Sequence, residues 1–195
     1  MQHNDLEKRH SGLQALRAAL LTDASREFVH WAATIAGADG VLERGQFNPE
    51  DLAPWLGRLA ILEWDASAND FRYRLFGSEL PALRGRDLSG LTMAAAWPEN
   101  VAQVKRRRLV LVIARQVPVV AQTMSSYFGK DGQVVRGHTV VEQVMWPLRY
   151  GTGNPDAILD FTIAAPVDQS LALTESEAAE RHIRRCFAGD GTQLD

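Results

Sequence analysis

The stretch DFRYRLFGSELPALRGRDLSG, residues 70–90, decides the fold. Its first part, FRYRLF, alternates with a period of two, the pattern of a half-buried strand. Phe71, Tyr73 and Leu75 fall on one face, and Arg72, Arg74 and Phe76 on the other. Gly77 breaks the alternation, a short helical piece follows, and glycine turns the chain again at Gly85 and Gly90. Just upstream, RLAILEW is a short apolar run closed by the polar segment DASAND. The two runs read as a β-hairpin with a loop longer than the tightest types.

Working outward, the first third reads as helix. Leu13, Leu16 and Leu20 form a narrow apolar stripe. A second helix is expected from about Ala24 to Ala36, with Phe28, Trp31, Ala32 and Ile35 on one face and Gly37 as a stop. NPEDLAPWLG reads as a short helix, capped by Asn48 with Pro49 at the first position. Beyond the hairpin, Pro98 and Glu99 open a long helix to about Arg115, and Pro118 ends it. Three strands follow: VVAQTMSSYF, HTVVEQVMWPL and AILDFTIAA, the first two joined at the hairpin dipeptide Asp131-Gly132. A last helix is expected from Thr174 and Glu177, spaced as a capping box, with Ala179, Ile183, Cys186 and Phe187 as its stripe.

Strands at both ends of a helical middle predict an α+β domain: a five-stranded antiparallel sheet with the mid-chain helices on one face. The N-terminal helices need a surface for their stripes. Either the opposite sheet face or a second copy of the chain would supply it, the latter giving a homodimer. The expected divisions are a helical extension over 1–45, a core over 46–167, and a C-terminal helix and tail over 168–195.

Composition bounds the function classes. The chain has 195 residues, 46% hydrophobic and 23% charged, near the globular average, with a net charge of -3. That charge gives no electrostatic footprint for nucleic acid or an anionic membrane. Cys186 is the only cysteine, so neither a disulfide nor a cysteine zinc cluster forms within the chain, and a reducing cytoplasm is the simplest compartment. The charged start MQHNDLEKRHSGLQAL does not read as a signal peptide, and LVLVIA is too short to span a bilayer.

The segments LERGQFNPEDLAPWLGRLAILEWD, DFRYRLFGSELPALRGRDLSG and VVEQVMWPL resemble a PAS family of short bacterial proteins. That family pairs a dFRYRLvGt strand with a GRDLtG turn. It also carries an acidic residue five positions before a Pro-Leu, here Glu142, Pro147 and Leu148. The resemblance covers roughly residues 28–165. The chain departs from it in ERGQFNPED, where the family more often has a proline-serine start. The resemblance implies a PAS-like fold and a sensory or regulatory role in signal transduction, through a small ligand held between sheet and helices or through a signalling partner. A structural interaction module with a filled core is the alternative, and an enzyme on a PAS scaffold a third reading. Fold alone does not choose among them.

No cofactor is expected. GRDLSG loosely resembles the turn that carries the reactive cysteine of light-sensing PAS domains, but it has no cysteine, and Cys186 falls outside the core. The long helix has no histidine to ligate haem; His30 and His138 are isolated, without metal-ligand spacing. No G-x-S-x-G elbow surrounds Ser125 and Ser126, and GTGNPD lies between strands rather than opening a helix, so no catalytic or phosphate-binding motif emerges. The basic run Lys105–Arg108 points all round a helix axis, and reads as a solvated face or an anion contact.

Arg74 is expected to pair with Glu142 or Asp87, because a guanidinium under outer helices needs a carboxylate. Exposure and a ligand contact are its other readings. The candidate pocket is lined by Phe71 or Tyr73 on the sheet, Trp97 and Val104 on the helical side, and Met124 and Met145 on later strands; a plain packed core is the bland reading of the same residues.

Overall fold

The computed structural model describes residues 2–48, 50–128, 134–165 and 185–189. Two helices, α1 (Gln2–Ala19) and α2 (Asp23–Ile35), precede the sheet. Thr22 caps α2 by accepting the amide of Ser25, and Asp23 complements the first turn. The NPEDLAPWLG segment does not become an α-helix. Pro54 has no amide to give, and the chain takes successive i to i−3 bonds (Asp51 to Asn48, Ala53 to Glu50, Trp55 to Leu52) before a 3-10 turn at Leu56–Arg58.

The strands are β1 (Leu42–Glu43), β2 (Leu59–Asp65), β3 (Asp70–Phe76), β4 (Val119–Phe128), β5 (Val134–Arg149), β6 (Ala157–Ala165) and β7 (Arg185–Ala188). Their order is β3-β2-β6-β5-β4-β7, with β1 pairing in parallel beside the end of β5. The five expected strands are therefore adjacent and antiparallel, and β1 and β7 are additions. Cys186 and Phe187, placed on a helix by periodicity, lie in β7, paired with Ala121 and Val120 of β4. Four residues of mixed period were too short a sample to distinguish helix from strand. The expected helix start at Thr174 and the Asp131-Gly132 turn lie outside the described residues.

Between β3 and β4 run α3 (Leu80–Arg84), α4 (Met93–Ala96) and α5 (Glu99–Arg115). Gly85 takes the left-handed conformation that ends α3, at φ 79°. Gln116 takes that role after α5, at φ 52°, with Pro118 two residues on. Gly77, which ends the alternating run FRYRLF, sits against backbone: a Cβ there would lie 2.5 Å from the Gly57 carbonyl oxygen. Only glycine permits that approach while its amide bonds Leu59.

The sheet separates two cores. On the inner face, α3, α4 and α5 cover Ala60, Leu62, Phe71, Tyr73, Met145 and Ile158. On the outer face, α1 and α2 cover Leu59, Val144, Trp146, Leu159 and Phe161. Phe28 of α2 stacks on Phe161 with ring centroids 4.9 Å apart, and burying such a ring fully contributes about 2–3 kcal/mol. The stripes of α1 and α2 are thus used on the chain's own sheet. Any homodimer formed through these helices uses their other faces.

Candidate functional site

Arg72 and Arg74 of the FRYRLF strand take different roles. The β2–β3 register shifts so that Ile61 faces Leu75 and Leu62 faces Tyr73, leaving Arg74 as the extra residue of a bulge. The bulge reverses the alternation. Phe76 turns inward, its ring edge-on to Tyr73, and Leu75 is 40% exposed instead of packing in the core. Arg74 is correspondingly exposed, 3.8 Å from Glu63.

The expected pair with Glu142 or Asp87 does not form. Glu142 lies on β5, three strands from β3 and so about 14 Å away, beyond one side chain. Asp87 is used within its own turn, accepting from the amide and hydroxyl of Ser89. Those bonds hold its carboxyl below the usual range. Arg72 does the joining instead: it gives two hydrogen bonds to Asp65 (2.8 and 2.5 Å) and one to the Gly90 carbonyl (2.6 Å), tying the hairpin to the GRDLSG turn.

Glu142 has a different task. It is fully buried and accepts from the amides of Leu21 (2.7 Å) and Thr22 (3.2 Å), the Thr22 hydroxyl (3.1 Å) and Gln122 Nε2 (3.0 Å). Gln122 also donates to the Ala19 carbonyl at 2.7 Å. The carboxylate therefore fastens the α1–α2 junction, and the cap of α2, to the outer sheet face. A buried carboxylate held by neutral donors takes those bonds as charge-assisted ones, stronger than neutral pairs.

The next residue on β5 points to the other face. Gln143 Nε2 donates to Asp160 Oδ2 at 3.0 Å, and Thr162 Oγ1 donates to Asp160 Oδ1 at 3.2 Å. Asp160 is buried among apolar strands, and burial pushes its carboxyl up, against the pull of Arg84, Lys105 and these hydrogen bonds. A cavity of about 10 Å³ opens here, lined by Tyr73, Lys105, Arg108, Gln143 and Asp160 among apolar neighbours including Leu62 and Met145. It has room for about one water.

Lys105 Nζ lies 4.5 Å from the centroid of the Trp97 ring, and the Arg84 guanidinium 5.6 Å from it. Burial, with Arg84 and Arg108 nearby, pushes the Lys105 amine well below its ordinary value, and Asp160 only partly opposes this. Trp97 Nε1 donates to the Tyr73 hydroxyl at 3.2 Å, and burial pushes the Tyr73 phenol up to about 12. The site thus sets Arg84, Lys105 and Arg108 around one carboxyl, beside an indole.

Of the pocket residues expected from sequence, Tyr73 and Met145 line this cavity. Trp97 stands beside it through Tyr73 and Lys105. Phe71 belongs to the same inner core without lining the cavity, and its ring meets Trp64 edge-on at 5.2 Å. Val104 is half-buried on α5 outside the lining, and the Met124 side chain lies outside the described part, though its backbone pairs with Val140.

Sequence reasoning did not place Gln143 or Asp160 in the site, and had Lys105 and Arg108 only as part of a basic run read as a solvated face or an anion contact. The KRRR run is not a solvated face: Arg107 is exposed, Arg106 pairs with buried Asp70 at 2.9 Å, and Lys105 and Arg108 face the cavity. The signal was there in spacing. Lys105 continues the apolar positions Ala102, Leu109 and Val112 of α5, and Asp160 is the one charge in AILDFTIAA.

The chain belongs to the PAS domain family, whose model matches residues 22–161. The match begins at the α2 cap, upstream of the expected core boundary at residue 46. PAS domains are generally sensory rather than catalytic. Among solved structures, the chain is similar to a light-oxygen-voltage domain from a study of a flavin analogue, with 17% identity and a TM-score of 0.39 over 67% of this chain and 87% of that one. It is also similar to an RNA-binding light-oxygen-voltage receptor, with 18% identity and a TM-score of 0.37, over 62% of this chain and 34% of that one. No curated protein matches. Among the described residues, no helix is long and apolar enough to cross a membrane, and no three metal-ligating side chains cluster.

Proposed function

We propose that this chain is a sensory PAS module that detects a small ligand at the inner-face Arg84–Lys105–Arg108–Asp160 cluster and reports it to a partner protein through the N-terminal helices. The observation that carries this reading is the pair of adjacent residues on β5. Gln143 bonds the inner carboxylate and Glu142 bonds the outer helix cap, so one strand touches both sides of the sheet. A shift of β5 at one residue displaces the other. The excess of positive charge favours a small anion or a molecule that becomes anionic when bound.

Native mass spectrometry of protein purified from cells tests the ligand. A retained compound that is lost on Arg108→Met or Asp160→Asn supports the reading. A second reading, an interaction module without a ligand, is favoured by the cavity volume of about 10 Å³. Apo protein in every variant, unresponsive to small anions, supports that one.

A further inference from the structure

We propose that Lys105 is a carbon dioxide acceptor, forming a lysine carbamate inside the cavity; this rests on the sensory reading and names its ligand. The argument begins with the cavity, whose volume of about 10 Å³ admits only molecules of very few atoms unless the helical roof moves. Lys105 lines it, with its amine 4.5 Å from the Trp97 ring centroid and within the field of Asp160. An ammonium placed beside two guanidiniums is repelled, whereas an anion at the same atom is attracted. Choice of residue fits the same logic. The chain has 21 basic residues, and lysine occurs at only three positions, Lys8, Lys105 and Lys130. Lysine, unlike arginine, can lose its proton and act as a nucleophile.

The groups facing the amine are Arg84 from α3, Trp97 after α4, Arg108 on α5, Tyr73 on β3, Gln143 on β5 and Asp160 on β6. Burial and the two arginines push the amine well below its ordinary value, which favours its neutral form, and burial pushes the Tyr73 phenol up. The neutral amine attacks the carbon of CO2. An N–C bond forms, one C=O π pair moves to oxygen, and the nitrogen releases one proton, giving R–NH–COO⁻. The proton passes to Asp160, whose carboxyl burial already pushes up. The cluster keeps its total charge: the negative charge moves from Asp160 to the carbamate between Arg84 and Arg108. Protonation adds a donor to an Asp160 carboxyl that only accepts from Gln143 and Thr162, and where the new O–H points at Gln143 that hydrogen bond reverses. Reversal at Gln143 is the event that β5 carries to Glu142.

The test exposes folded protein to ¹³C-labelled CO2 and bicarbonate, reads the carbamate by ¹³C NMR, and traps it with triethyloxonium for peptide mass spectrometry. The expected result is an adduct at Lys105 at CO2 levels that leave Lys8 and Lys130 unmodified. It is absent from K105R and at least threefold less occupied in R108M. Lys105 left unmodified in both readouts, or modified no more than the other two lysines, overturns the assignment. If Lys105 stays unmodified while D160N still loosens the α2 cap in hydrogen exchange, only the CO2 assignment falls. If D160N also leaves the cap unchanged, the sensory reading falls with it.

Discussion

Replacing Glu142 with alanine tests how the outer face is held. In the native chain, four hydrogen bonds converge on this carboxylate, two of them from the Leu21 and Thr22 amides at the α1–α2 junction. The junction is packed against the sheet by Leu16, Leu20 and Phe28. Water therefore does not freely replace the lost acceptor. Each buried donor left unsatisfied costs about 1–3 kcal/mol, and the Thr22 hydroxyl keeps a partner in Ser25. Two orphaned amides and a weakened Gln122 give a loss of about 3–5 kcal/mol. For a chain of this size, 1 kcal/mol corresponds to about 2–4 °C in melting temperature, so E142A should melt about 10 °C lower. E142Q retains one acceptor oxygen and should lose about half as much. Differential scanning calorimetry gives the melting temperature, and hydrogen exchange shows whether protection is lost first at residues 20–25. A drop of under about 3 °C for E142A, or protection lost evenly over the molecule, would refute the reasoning. R74M is the matched control. Arg74 is exposed and 3.8 Å from Glu63, so its replacement should leave stability within about 0.5 kcal/mol.

Further outcomes follow from the inner face and the turns. Burial raises the Asp70 carboxyl, but hydrogen bonds from Arg106, Ala94 and Phe71 outweigh it and hold the carboxyl low. Its folded value lies below its unfolded one, so its stabilisation is present above about pH 4 and lost as pH falls below it. D70N should lower the melting temperature at pH 7 and flatten the acid limb of the stability curve; an unchanged acid limb would count against the pair. Lys105 has the opposite linkage: its amine is depressed, so the unfolded chain binds more protons and stability rises with pH between the folded and unfolded values. K105M should melt above wild type near pH 7, with the gap narrowing toward pH 10, and a gap that widens would contradict the assigned shift. G77A forces a Cβ to 2.5 Å from a backbone oxygen and should lower stability by about 1–3 kcal/mol, measured by urea unfolding.

The architecture was legible because its signals are periodic. Alternation in FRYRLF, the DASAND turn, Pro98 and Pro118 around a helix, and three later apolar runs gave the five strands and α5 in sequence order. Short elements were not legible. β1 and β7 have two and four residues, and their existence depends on a neighbouring strand edge rather than on their own pattern. NPEDLAPWLG carried good capping residues, yet Pro54 interrupts its hydrogen bonding. Arg74 was misread because a single-residue bulge is invisible in an alternating sequence. Glu142 was read as a candidate partner for Arg74; its donors include the Leu21 and Thr22 backbone amides, which leave no mark in a sequence. The inner cluster was missed where polar residues sit in otherwise apolar frames: Lys105 on the α5 stripe and Asp160 in β6.

The central claim is that β5 couples the inner carboxylate to the outer helix cap. Hydrogen exchange at the Leu21 and Thr22 amides in D160N measures this most directly, because Asp160 lies across the sheet from both. The account predicts faster exchange at these two amides than in wild type, while those of β4 and β6 away from the cluster keep their protection. Unaltered exchange at Leu21 and Thr22, in a D160N protein whose inner core is measurably loosened, would contradict it.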